Sequence, residues 1–99
     1  MQVDVECADL GLVNSTLSAS CKDDAGEFKN TSINLDDCFG ASNGNIVNGA
    51  RNYSASCNFC YIFFFSLVCT CQKEDNSVDN NIAINLAQYM KNVNGTLTC

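Results

Sequence analysis

"NTSINLDD" (residues 30–37) and "NNIAINLAQ" (residues 80–88) are two versions of one phrase. Ile33, Asn34 and Leu35 meet Ile84, Asn85 and Leu86 at an offset of 51 residues. Further along, Asn43-Gly44 meets Asn94-Gly95 at the same offset. Toward the N-terminus the offset becomes 50, where Cys7, Leu17 and Cys21 meet Cys57, Leu67 and Cys71. One inserted residue near Asn81 reconciles the two offsets. Identities in one order with a single gap mark a tandem duplication, repeat 1 at about residues 1–50 and repeat 2 at about 51–99. A chain of 99 residues holds one compact domain, here expected as two halves sharing a core.

Local patterning favours strands. Val3, Val5 and Cys7 alternate with polar residues, as do Leu17, Ala19 and Cys21, the period of a sheet buried on one face. Ile33 with Leu35 and Ile84 with Leu86 repeat that alternation. "NGNIV" and "NGTLT" join a tight-turn dipeptide to a strand. Single helical turns are expected at Asp36–Gly40 and Ala87–Lys91, both too short to stand alone as helices. "FCYIFFFSLVC" (Phe59–Cys69) is the most apolar stretch, about half the length of a membrane span. Burial in a hairpin or the shared core is therefore expected for Tyr61-Ile62-Phe63-Phe64-Phe65; exposed, the run would mark an interaction surface.

Charge and cysteine content narrow the classes. A net charge of −6 with five basic residues leaves nothing to neutralise a row of phosphates, which excludes nucleic acid and disfavours an anionic membrane. Eight cysteines and no histidine read as a disulfide framework made in an oxidising compartment, so a secreted protein is expected. Only Cys57-Asn-Phe-Cys60 has metal-knuckle spacing, and no second knuckle completes a ligand set, so no metal or other cofactor is expected. Four glycosylation sequons, at Asn14, Asn30, Asn52 and Asn94, add support for secretion. "MQVDVECAD" has no apolar leader core, so the sequence is expected to begin at a mature domain.

Within each repeat the natural bridges are Cys7–Cys21 and Cys57–Cys71, each closing a loop worth on the order of 3 kcal/mol. Cys60 and Cys69 both sit inside the second loop and could face each other across a hairpin, which by elimination would leave Cys38 for Cys99. Eight cysteines permit on the order of a hundred pairings, so other pairings stay open.

The strings "SASCKDDAGEFKNTSINLDD…NGNIV" and "LVCTCQKEDNSVDNNIAINLAQYMKNVNGTLT" resemble the cyanovirin-N family of small lectins. That family has two tandem repeats of this length, an Ile-Asn-Leu or Ile-Asp-Leu strand and an Asn/Asp-Gly turn before the next strand. The resemblance covers nearly the whole chain. The four extra cysteines and the aromatic run are departures. What the resemblance implies is an all-β, pseudo-two-fold protein, each lobe a three-stranded sheet plus a β-hairpin with short helical turns, the strands exchanged between repeats. It further implies binding of mannose-rich glycans or glycoproteins, often at Manα(1→2)Man ends, as a monomer or a domain-swapped dimer. Membrane insertion is not expected.

Carried over by position, a first pocket falls on Gln2, Glu6, Lys22, Asp24, Asn92 and Asn94, where Glu6 replaces a small hydroxyl residue. A second falls on Asn43, Arg51, Asn52, Ser56, Gln72, Lys73, Glu74 and Asn76. There Gly40, Ala41 and Ala55 lack side chains able to bond a sugar hydroxyl, and an unpaired hydroxyl costs about 1–3 kcal/mol, so this second pocket is expected to be weaker, altered in specificity or dead. Asn52 and Asn94 are also sequons, and a glycan on either would cover its pocket. No constellation supports an enzyme: there is no histidine, and the adjacent Asp36-Asp37 cannot oppose each other across a cleft. The alternative to a lectin is a stapled secreted module that binds a protein partner and no sugar.

Overall fold

The computed structural model describes residues 6–99. In it the duplicated Ile-Asn-Leu is a strand-to-helix joint. Ile33 and Ile84 lie near strand ends against the core. Asn34 and Asn85 each accept, through Oδ1, the N–H two residues on, at Asp36 and Ala87 (both 3.0 Å), and so cap a helical turn. Leu35 and Leu86 are wholly buried anchors in the first position of those turns. The turns run Leu35–Asp37 and Leu86–Tyr89, each starting one residue before the sequence-based expectation, because the asparagine is the cap and the leucine already helical.

The described residues form ten strands in chain order: β1 (Cys7–Val13), β2 (Thr16–Lys22), β3 (Phe28–Asn34), β4 (Phe39–Ser42), β5 (Asn45–Asn48), β6 (Cys57–Phe63), β7 (Ser66–Gln72), β8 (Val78–Asn85), β9 (Lys91–Val93) and β10 (Thr96–Thr98). They form antiparallel sheets β1-β2-β3 and β6-β7-β8 and hairpins β4-β5 and β9-β10. The hairpins change places. β10 of the second repeat packs on β3 of the first, where the Leu97 N–H donates to Thr31 Oγ1 at 3.1 Å, and β5 packs beside β8. Each lobe therefore needs both repeats, and the body extends 50 × 20 × 18 Å. The core repeats too: Leu17 and Leu67, Leu35 and Leu86, Phe39 and Met90, and Ile46 and Leu97 are buried counterparts.

Asparagine content has a backbone cause. Among the described residues nine non-glycine positions have φ between 47° and 69°, and six are asparagines: 14, 43, 52, 76, 81 and 94. Asparagine tolerates this left-handed region better than most residues. Asn43-Gly44 and Asn94-Gly95 have positive φ at both residues and join strands paired Ser42↔Asn45 and Val93↔Thr96, the two-residue hairpin turn their sequence signals. The residue inserted in repeat 2 is a β-bulge. β2 and β3 pair without a break, whereas β7 and β8 shift register between Cys69 and Cys71, with Asn81 left-handed in the gap. Ser20 and Thr70 keep matching hydroxyl bonds to Asn30 and Asn80, so Asn81 is the extra residue.

Two expectations require correction. Glu6 is helical and β1 begins only at Cys7, so the strand alternation does not run through residue 6; Val3 and Val5 lie outside the described residues. Most of the aromatic run is not buried; Ile62 and Phe65 alone of it pack, half-buried, against the core. Phe59 is 85% exposed and Phe64 79%, with Tyr61 and Phe63 exposed beside them. β6 is an edge strand; its alternation turns Cys60 and Ile62 to the core side and Tyr61 and Phe63 to the other, and Phe59 sits in the bulge between Asn58 and Tyr61.

Four disulfides hold the body: Cys7–Cys21, Cys57–Cys71, Cys60–Cys69 and Cys38–Cys99. The first two join directly paired residues of neighbouring strands. Cys60–Cys69 spans the bulge where the first lobe packs Leu10 and Ala19. Cys38–Cys99 ties repeat 1 to the last residue of repeat 2, across 61 positions. Among the described residues no helix is long and apolar enough to cross a membrane.

Candidate binding site

Each Asn-Gly turn is pinned to the loop after the second cysteine of the other repeat. Asn43 Oδ1 accepts from the Glu74 N–H (3.1 Å), and Asn94 Oδ1 accepts from the Asp24 N–H (2.8 Å). These counterpart bonds, 31 and 70 residues apart in sequence, build the two ends of the molecule. A Cβ on Gly44 would lie 2.9 Å from Lys73 Cγ and 3.0 Å from Asp79 Oδ2, so glycine lets the turn sit against the Lys73–Asp79 ion pair.

The end built on Asn43 is concave. Ala41, Ser42, Asn43, Ser56, Gln72, Lys73, Glu74 and Asn76 line a cavity of about 320 Å³, the lower end of the range for small-ligand sites. Its floor is pre-set. Gln72 Nε2 donates to Asn76 Oδ1 (3.1 Å), the Gln72 N–H donates to the Ser56 carbonyl (2.8 Å), and the Lys73 N–H donates to the Ser77 carbonyl (2.7 Å). Asp75 accepts both the hydroxyl and the N–H of Ser77, and these bonds hold its carboxyl below the usual aspartate range. After these bonds Asn43 and Asn76 keep their amide N–H groups and Gln72 its amide oxygen. Donors and acceptors on a rigid, shallow surface suit a neutral ligand with vicinal hydroxyls.

Of the residues the sequence assigns to this pocket, Asn43, Ser56, Gln72, Lys73, Glu74 and Asn76 come together here. Arg51 and Asn52 do not line it. They lie in the inter-repeat segment, where the Asn52 N–H donates to the Asp36 carbonyl (2.9 Å) and the Arg51 backbone would sit 2.9 Å from a Cβ on Gly40. Gly40 is thus a packing position, not a lost sugar contact. Ser42 is an addition, and its signal was its place beside the Asn-Gly turn. Ala41 also lines the cavity, and its small side chain explains the hollow when the other end is considered.

At the Asn94 end, Ala41's counterpart is Asn92, only 2% exposed. Asn92 Nδ2 donates to the Lys22 carbonyl and its Oδ1 accepts from the Gly95 N–H, both at 2.8 Å. Asn92 therefore fills with its own amide the space Ala41 leaves open. Lys22, Asp24, Asn92 and Asn94 do meet here, with the Lys22 ammonium 5.5 Å from the Phe28 ring centre; Glu6 is half-buried, and Gln2 lies outside the described residues. Asp23 organises this loop. It accepts the N–H groups of Glu27 and Ala25 (2.9 Å each) and pairs with Lys29 at 3.5 Å. The Glu27 bond above all, then Ala25 and Lys29, holds its carboxyl below the usual range, outweighing the opposing effect of burial.

Two strand-exchanged, disulfide-stapled lobes with a polar hollow under a hairpin turn define the class of protein to compare. The CVNH domain model matches residues 4–98, so the chain belongs to the CVNH family. Similar solved structures include the CVNH protein of T. borchii (27% identity, 99% and 98% of the two chains, TM-score 0.84). A microvirin:mannobiose complex matches at 27% identity over 98% and 96% of the chains, TM-score 0.82. A designed cyanovirin-N homologue lectin shares the fold at TM-score 0.89 with 20% identity over 99% and 98% of the chains. No curated protein sequence matches the chain.

Proposed function

We propose that the protein is a secreted lectin that binds mannose-rich glycans, Manα(1→2)Man ends in particular, in the hollow beneath the Asn43–Gly44 turn. One observation carries the reading: residues from three separate segments (41–43, 56 and 72–76) converge on that cavity, and its amides are held by bonds to one another and to the backbone. Such preorganisation lowers the cost of ordering the site on binding. The microvirin structure at 27% identity is a mannobiose complex, which supports the choice of sugar. The Asn94 end, filled by Asn92, is the weaker or silent site. Binding rather than catalysis fits a chain without histidine whose described cysteines are all paired. Four disulfides support an extracellular location.

Titration calorimetry with Manα(1→2)Man tests the proposal. Gln72→Ala removes an amide able to bond two hydroxyls, about 1.4 kcal/mol or more, and should weaken binding at least tenfold. Absence of heat at millimolar sugar, with the protein folded, returns the chain to the reading of a protein-binding module.

A further inference from the structure

A second concavity lies between the lobes, away from both ends. Its cavity is about 400 Å³, and its walls include Leu12, Asn14, Tyr53, Ser54, Asn58 and Phe59. No charged side chain lines it, in a chain of net charge −6. Phe59 is the unusual member. It occupies the bulge of β6 with φ 55°, a conformation seldom adopted by bulky residues, and it is 85% exposed. Its counterpart in repeat 1, Asp9, is a residue type that tolerates the same left-handed bulge (φ 56°). Packing therefore gives no reason for a phenyl ring here. Bulges re-aim side chains, and a strained residue kept at a concave surface points from geometry to function.

Asn14 and Asn58 make no side-chain hydrogen bond among the described residues, so two amides line the same groove as Phe59 with donors and acceptors unspent. An exposed aromatic face carries negative charge density that attracts weakly positive C–H groups. A pyranose with all-equatorial substituents offers a flat C–H face to such a ring and directs its hydroxyls to the sides, where the amides stand. Mannose, with an axial 2-hydroxyl, interrupts one of its faces. The cavity under Asn43 has no aromatic wall, so the two concavities suit different sugars.

We infer that the inter-lobe groove walled by Phe59, Asn14 and Asn58 is, in protein not glycosylated at the Asn14 sequon, a separate glycan subsite for a neutral, equatorially substituted pyranose such as an N-acetylglucosamine residue. The assignment rests on the reading of the protein as a glycan binder, but not on the end cavity. Isotope-labelled protein, produced without glycosylation, is titrated with chitotriose and in parallel with Manα(1→2)Man, and amide shifts are followed by NMR. Chitotriose should move the Asn14 and Asn58 side-chain amides and the Phe59 N–H. Phe59→Asn, a residue the chain already uses at left-handed positions, should stay folded and weaken those shifts at least tenfold, leaving mannobiose shifts at Asn43 and Gln72 unchanged.

Mannobiose shifts at the end cavity without chitotriose shifts in the groove overturn the subsite alone. Groove shifts without end shifts overturn the end cavity alone, and no shifts anywhere overturn both. Groove shifts that survive Phe59→Asn also overturn the inference. So does broadening of Phe59, Tyr61 and Phe63 with protein concentration and no sugar, which would assign the aromatic face to self-association.

Discussion

Cys38→Ala with Cys99→Ser removes the one disulfide that joins the two repeats. The bond spans 61 positions, and the Cys57–Cys71 bridge inside that span shortens the ring it closes. An effective ring of about 47 residues corresponds to about 4 kcal/mol of chain entropy restored to the unfolded state. Alanine at the buried position 38 avoids adding a hydroxyl to the core. Small domains have only about 5–15 kcal/mol in total, so the loss is a large share. With a urea slope of about 2 kcal/mol/M, the midpoint should fall by roughly 2 M in equilibrium unfolding followed by circular dichroism. A fall below about 0.5 M, with the other three disulfides intact by mass, would refute the reasoning. The same bond fixes each repeat to its own partner repeat. Its removal should let two chains trade repeats, giving a dimer by size exclusion after concentrated refolding. A strictly monomeric variant contradicts that part.

Cys60→Leu with Cys69→Ala copies Leu10 and Ala19 from the same register of the first lobe; because Cys57–Cys71 shortens the ring this bond closes, the loss in urea stability should be about half that of the Cys38–Cys99 variant. Asp23, with its carboxyl held low in the fold, contributes stability that is present above about pH 4 and lost as the pH falls through its folded value. Asp23→Asn should therefore be less stable than the parent at pH 7 and converge with it in acid, as urea midpoints across pH would show. The Tyr53 hydroxyl is buried without a partner among the described residues, so Tyr53→Phe should be neutral or raise stability by about 1 kcal/mol. Burial, with a smaller effect of Asp36, pushes that phenol up to about 12, so the parent should lose stability above about pH 10 while Tyr53→Phe loses less.

The repeat made much of the fold legible. Ile33-Asn34-Leu35 and Ile84-Asn85-Leu86 declare their caps and core anchors locally, and each Asn-Gly dipeptide declares a turn without help from tertiary contacts. Exposure of Phe59, Phe63 and Phe64 was not legible, because an apolar run does not say that its strand lies at a sheet edge or that a bulge turns one ring outward. The Asn81 bulge showed in the sequence only as a one-residue gap. Positions near the end cavity were readable where strands carry them there, as with Gln72–Glu74. Arg51 and Asn52 were not, since the inter-repeat segment packs against Gly40 and Asp36 instead. Ala41 read as a missing contact, and only comparison with the buried Asn92 shows that it opens the space.

The most direct test of the glycan-binding account is a heteronuclear NMR titration of non-glycosylated protein with Manα(1→2)Man. The account predicts saturable shifts confined to Ser42, Asn43, Ser56 and Gln72–Asn76, with little change around Lys22 and Asn92. A folded spectrum that does not move at millimolar sugar, or shifts confined to the Asn92 end, would contradict it.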